Sequence, residues 1–173
     1  KLLASRLAAL GKDVTYVREP GGTALSEKIR GLILDFRIDP PNARAETLLF
    51  LAARAQVAGE TILPALEAGR WVVCDRFTYS TVAYQGYGRG FSPAVIRDLN
   101  RFALPEGLES DAVLFIDVPL ETTFSRLASR QGIGRDNIEG AGRDFHRRVR
   151  DGFILQAKTT PGAFLIDGTG TVE

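Results

Sequence analysis

The sequence predicts an α/β fold built on a parallel sheet, and two observations carry that prediction. First, four short apolar runs alternate with segments of helical periodicity: Val14 to Val17, Trp71 to Cys74, Val113 to Ile116 and Ala163 to Ile166. Runs that are apolar throughout suit strands of a parallel sheet covered by helices on both faces. Second, each run stops at charge. VTYV meets Arg18-Glu19-Pro20, WVVC meets Asp75-Arg76, VLFI meets Asp117-Val118-Pro119, and FLI meets Asp167-Gly168. Ligands bind beyond the carboxyl ends of strands in open parallel sheets, so this gathering of charge predicts a ligand crevice.

The elements follow in order. Leu3, Leu7 and Leu10 give Lys1 to Leu10 helical spacing, and Gly11 suits the C-cap. After the strand at Val14, the spacing of Leu25, Ile29, Leu32 and Ile33 marks an amphipathic helix. Asn42 is placed to cap a longer helix carrying Leu48, Leu49 and Leu51, with a break expected near Gly59 or Pro64. Beyond the strand at Trp71, a helix is expected from about Tyr79 and another over Pro93 to Phe102. The strand at Val113 leads to a helix over about Leu120 to Ser129, an arginine-rich loop and helix, and the last strand at Ala163.

The 173 residues are 45% hydrophobic, enough for one domain with a real core, and residues 1–173 read as a single domain. With 25% charged residues and a net charge of +1, the chain lacks the basic excess of a non-specific nucleic-acid binder. No apolar run approaches the roughly 20 residues of a membrane span, and no segment reads as a signal peptide. The single cysteine, Cys74, sits inside an apolar run and reads as a buried thiol, consistent with a reducing compartment.

Several constellations carry candidate chemistry. Arg18 to Thr23, REPGGT, joins a strand to a helix. It reads either as a plain turn or as a place where Gly21 and Gly22 let backbone approach an anion, with Arg30 pointing back at it. Phe50 and Arg54 share a helix face at i and i+4. They are either core and solvated surface, or a ring for a flat base beside a guanidinium fork. Ser80 with Tyr84, and Thr81 with Gln85, form two further i,i+4 pairs that could cradle a sugar or base. Arg76 at a strand end could grip a phosphate bidentately. Gly86 to Gly90 follows a helix, so it is not the dinucleotide fingerprint. Arg126, Arg130 and Arg135, around Gly132 and Gly134, read as a solvated basic helix or as a mobile lid over phosphates at about residues 130–142. His146, the only histidine, lies among arginines on an expected surface helix, without the partners of a triad or metal site.

Together REPGGT, FLAAR at Phe50 to Arg54, and the run from Asp75-Arg76-Phe77 to AYQGYGRG ending at Gly90 resemble bacterial thymidylate kinases of the P-loop nucleoside monophosphate kinase group. The match covers nearly the whole chain. The resemblance implies a P-loop kinase-type fold and transfer of the ATP γ-phosphoryl group to thymidine monophosphate (dTMP) with Mg2+, in the cytoplasm, by a homodimer. It implies that Phe50 stacks on thymine and Arg54 bonds its carbonyl, that Arg76 and Arg30 bind the acceptor phosphate, and that Ser80, Thr81 and Gln85 line the nucleoside. Tyr84 would crowd the sugar 2′ position. Glu19 and Asp75 would orient the phosphate and the magnesium shell, and Arg126, Arg130 and Arg135 would steady the phosphoryl group. Two departures stand out. Asn137 occupies a place where many members carry arginine, and no G-x-x-x-x-G-K-[ST] phosphate loop occurs in these residues. The chain opens and closes in mid-pattern, so a strand and phosphate loop are expected ahead of Lys1, the strand lying between those at Trp71 and Val113, and a helix after Glu173. Two other readings remain at this point: a different phosphotransferase on the same fold, and a non-catalytic nucleotide-binding module.

Overall fold

A computed structural model describes residues 1–35, 39–129 and 136–170. Helix α1 (Leu2–Ala9) leads to strand β1 (Val14–Arg18), then α2 (Ala24–Leu34) and α3 (Ala43–Val57). Next come α4 (Leu63–Glu67), β2 (Trp71–Asp75), α5 (Thr78–Thr81), α6 (Pro93–Phe102), β3 (Val113–Asp117), α7 (Leu120–Ser129), α8 (Arg143–Thr159) and β4 (Ala163–Asp167). Every expected strand is present, and all four run one residue further, into the charged residue that ends them; β1 takes in Arg18, β2 Asp75, β3 Asp117 and β4 Asp167.

All pairing among the described residues is parallel. β1 lies along β2 with Val14 opposite Trp71 and Arg18 opposite Asp75. β3 lies along β4 with Val113 opposite Ala163 and Asp117 opposite Asp167. These are two separate two-stranded ladders, since β2 and β3 do not pair. Phe115 is buried against the rings of Tyr79 and Phe153, whereas Leu114, Ile116, Phe164 and Ile166 are exposed among the described residues.

Local signals explain the helix starts. Thr23 caps α2, its Oγ1 accepting from Ser26 N at 3.1 Å, and Asn42 Oδ1 caps α3 by accepting from Arg44 N and Ala45 N. The expected break near Gly59 or Pro64 does not occur. A π-helical stretch, Ala58–Ile62, carries α3 into α4. Pro64 falls in the first turn of α4, directly after the π stretch. Burial of Val57, Ala58, Ile62 and Ala65 holds the segment in place.

A second π stretch, Val82–Gly88, continues α5, so the residues after Thr81 do not follow regular helical spacing. π segments recur at functional sites because they displace side chains from the ordinary register. This one packs closely on α8. A Cβ at Gly88 would stand 2.7 Å from Phe145 Cε2, and one at Gly152 would stand 2.5 Å from Tyr87 Cδ2. Glycine at both positions is what allows the approach. Arg148 of α8 clamps the contact, its Nη2 donating to the Gly88 carbonyl at 2.8 Å.

Among the described residues the core forms three clusters. Val17, Val57 and Ile62 pack beneath the first ladder. Ile29, Ile33 and Ala53 join α2 to α3. Ala83, Ile138, Phe145 and Val149 join the π stretch to α8. His146 corrects the surface expectation: it is half-buried, with its ring edge-on to Phe124 at 5.6 Å and to Phe145 at 5.3 Å.

Candidate active site

Because β1 and β2 are in register, their ends deliver Glu19, Asp75 and Arg76 to one edge, where Glu19 N donates to the Asp75 carbonyl at 3.0 Å. A cleft opens there. Glu19, Pro20, Arg30, Phe50, Arg54, Arg76, Ser80, Thr81, Tyr84 and Gln85 line it, so β1, α2, α3 and the segment after β2 all contribute. The charge read at the strand ends has therefore assembled where a ligand crevice was expected. At the other ladder, Asp117 is already paired, accepting from Arg150 Nε and Nη2 at 2.8 Å each.

Arg54 is the most constrained member. It is 2% exposed, and its ion partner Glu19 is 4% exposed. Nε and Nη2 of Arg54 donate to Glu19 Oε2 at 2.9 and 2.6 Å, and Nη1 donates to Thr81 Oγ1 at 2.6 Å and Asn100 Oδ1 at 2.5 Å. Its guanidinium also lies 5.4 Å from the Phe77 ring. Thr81 thus supports Arg54 from a buried position. Glu19 Oε1 is buried without a hydrogen-bond partner among the described residues. Burial pushes the Glu19 carboxyl above its ordinary range, and Arg54 offsets part of that rise.

Phe50 lines the cleft and also packs against the cluster of Ile29, Ile33 and Ala53. Arg30 Nη1 donates to the Pro20 carbonyl at 3.0 Å, at the REPGGT turn. The turn's own N–H is taken by protein. Gly22, at φ +91°, donates its N–H to Glu27 Oε1 at 2.9 Å, and Arg18 Nη2 reaches the same oxygen at 3.1 Å. The Gly22 N–H, with help from Arg18, holds the Glu27 carboxyl below its ordinary range.

Arg76 has φ +69°, a left-handed conformation unusual for a residue with a Cβ and commonest where function holds strain. Its guanidinium stands 5.2 Å from the Tyr84 ring. Tyr84 is wedged from behind by Phe145 and Phe153, at 6.1 and 6.0 Å. Asp75 Oδ2 accepts from the Tyr16 hydroxyl at 3.1 Å. Gln85 is 1% exposed, and its Nε2 donates to Glu46 Oε1 at 3.0 Å.

The lid expectations divide. Arg130 and Arg135 lie outside the described residues. Arg126 turns away from this cleft and donates to the carbonyls of Gly168, Thr169 and Gly170 in the loop after β4. Asn137, the departure from arginine, ties its segment to the end of α2 by donating to the carbonyls of Ile33 and Asp35 at 3.3 and 3.0 Å. Sequence reasoning did not single out five cleft residues, Leu34, Asp136, Ile138, Glu139 and His146. Asp136 Oδ1 accepts from the N–H of Ile138 and Glu139 at 2.9 and 2.7 Å, a turn that the Asp-Asn pair could have signalled. Asn100 was also missed, because its partner lies 46 residues away.

Comparison with known proteins identifies the family. The family model described as "Thymidylate kinase" matches residues 1–173. The chain is 42% identical over 178 residues to a thymidylate kinase of a Geobacter species, covering 100% of this chain and 79% of the relative. It is 44% identical over 172 residues to one from Thermosipho melanesiensis, covering 99% and 83%. Among solved structures, thymidylate kinase from Ehrlichia chaffeensis matches with a TM-score of 0.74 at 32% identity, over 96% of this chain and 80% of that one. The chain therefore belongs to the thymidylate kinase family, whose reaction is the phosphorylation of dTMP to the diphosphate with ATP.

Proposed function

We propose that this cleft is the acceptor site of that reaction and that its residues act as follows. Arg76 and Arg30 take the 5′-phosphate of dTMP, the base lies against Phe50, Ser80 and Gln85 line the nucleoside, and Tyr84 crowds the sugar 2′ position. Arg54 gives the base one N–H, with Thr81 bracing it. Arg130 and Arg135 steady the transferring group, while Arg126 braces the loop after β4. Phosphoryl transfer asks for in-line placement and positive charge on the equatorial oxygens, not for a strong base. The supporting observation is the convergence of Phe50, Arg54, Arg76, Tyr84 and Gln85 on one cleft at the strand ends.

Magnesium fits this residue set. Mg2+ is usually held by one or two carboxylates, waters and phosphate oxygens. Asp75 is exposed at the strand end, and Glu19 has an oxygen without a protein partner among the described residues. Asp75, through water, and Glu19 would hold the ion, which neutralises charge across the phosphates. We place the reaction in the cytoplasm. We also propose a homodimer formed through α2 and α3, which pack together and expose Leu25, Leu32 and Leu48. Sedimentation of the full-length protein at a monomer mass would refute that assembly.

The activity test is direct. Full-length protein with ATP and Mg2+ should convert dTMP to its diphosphate and prefer it to dCMP and dGMP, read by chromatography of the products. Equal turnover of the three acceptors would refute the assignment of this cleft.

A further inference from the structure

Behind the cleft lies a buried carboxylate with no role in the account so far. Glu46 on α3 is 2% exposed. Its Oε1 accepts from Gln85 Nε2 at 3.0 Å and Arg89 Nε at 3.1 Å, and its Oε2 accepts from Arg89 Nη2 at 2.6 Å. Arg89 stands 4.6 Å from the Phe145 ring, just after the Gly88 carbonyl that Arg148 clamps. The fork of Arg89 compensates the buried charge of Glu46 and fixes its plane.

A glutamine amide has two ends of nearly equal shape. One donates and the other accepts, and the surroundings decide which end faces where. A carboxylate paired with an arginine fork only accepts. The end of Gln85 against Glu46 is therefore its NH2, and its carbonyl oxygen is turned away from Glu46, on the side of the cleft that Gln85 lines. We propose that Glu46, held by Arg89, is a positioning residue that locks the Gln85 amide with its carbonyl towards the acceptor. The site then selects bases that present a ring N–H, as the imide of thymine or uracil does, over bases with a bare ring nitrogen there, as in cytosine. A buried acceptor left opposite another acceptor is strongly discriminating. The inference rests on the acceptor-site reading above.

The test compares dTMP with dCMP on the full-length enzyme, as kcat/KM with ATP and as Kd by calorimetry. Glu46→Gln replaces an acceptor-only group by one that presents either end, so Gln85 can flip. The dTMP/dCMP preference should narrow about tenfold or more. Arg89→Met removes the fork and should narrow it severalfold, and this variant carries the test should Glu46→Gln fail to fold. In a Gln85→Leu background, Glu46→Gln should change the preference no further. A wild-type enzyme without preference for dTMP overturns this inference and the functional reading together. A wild-type preference that survives Glu46→Gln, with both acceptors weakened equally, overturns this inference alone and leaves Glu46 a packing residue.

Discussion

Arg54 meets Glu19 inside the protein: Nε and Nη2 both donate to one carboxylate oxygen, at 2.9 and 2.6 Å. With Nη1 serving Thr81 and Asn100, four of the five guanidinium hydrogens are committed, and one on Nη2 is left. Arg54 can therefore give a ligand one hydrogen bond, not a fork. The pair joins β1 to α3, and through Thr81 and Asn100 it reaches α5 and α6, so the site and the fold share it.

That sharing has an energetic consequence. Removing one partner of a buried pair strands the other charge, at about 3–5 kcal/mol. Arg54→Met should destabilise the protein by about that amount in urea unfolding, and adding Glu19→Gln should recover part of it. A loss within about 1 kcal/mol for the single variant would show that the pair does not hold these elements together.

Arg76 separates backbone strain from ligand binding. Arg76→Ala keeps a Cβ at φ +69° and loses the guanidinium. It should weaken dTMP binding by about 1.5–3 kcal/mol, the range for charge-assisted hydrogen bonds. Arg76→Gly should lose the same binding but melt above Arg76→Ala, because glycine adopts positive φ without steric cost. Calorimetry and thermal unfolding read the two quantities independently, and unchanged dTMP affinity in both variants would remove Arg76 from the phosphate site.

Phe50 is both cleft wall and core edge, so Phe50→Ala should act twice. It should weaken dTMP binding while sparing ATP binding, and it should destabilise by less than the roughly 3–5 kcal/mol of a fully buried phenylalanine. Equal weakening of both nucleotides would make it a core residue only.

Much of this arrangement was legible because it is local. The apolar runs fix the strands, and charge at their ends marks the crevice. Thr23 and Asn42 sit where caps belong; Asn42 was read as one. What escaped were partnerships across sequence. Nothing around Phe50 says that Arg54 is buried under Glu19 and Asn100, since helical spacing tells which face a residue occupies and not what meets that face. The two π stretches were also invisible. Gly59 and Pro64 read as a break because propensity is a local quantity, whereas burial of Val57, Ala58 and Ile62 kept that segment helical. His146 looked exposed among arginines, yet Phe124 and Phe145 enclose its ring.

Cys74, one residue before Asp75, gives a pH test of burial beside the site. Its Sγ donates to the Arg76 carbonyl at 3.1 Å. Burial, followed by the nearby Glu19 charge, pushes the thiol from an ordinary 9.0 to about 12. Below pH 9 the thiol is protonated in folded and unfolded chains alike, and its contribution is fully present. Between 9 and 12 the unfolded chain has released the proton and the folded chain still holds it. Stability must then fall as pH rises, by about 1.4 kcal/mol per pH unit for this one group. Relative to wild type, Cys74→Ala should lose that part of the alkaline slope, measured by urea unfolding from pH 8 to 10.5. The same shift starves the folded protein of thiolate, so a disulfide reagent at pH 8 should modify Cys74 far more slowly in the native chain than in urea. Native and unfolded chains reacting at equal rates would show that the thiol is neither enclosed nor raised.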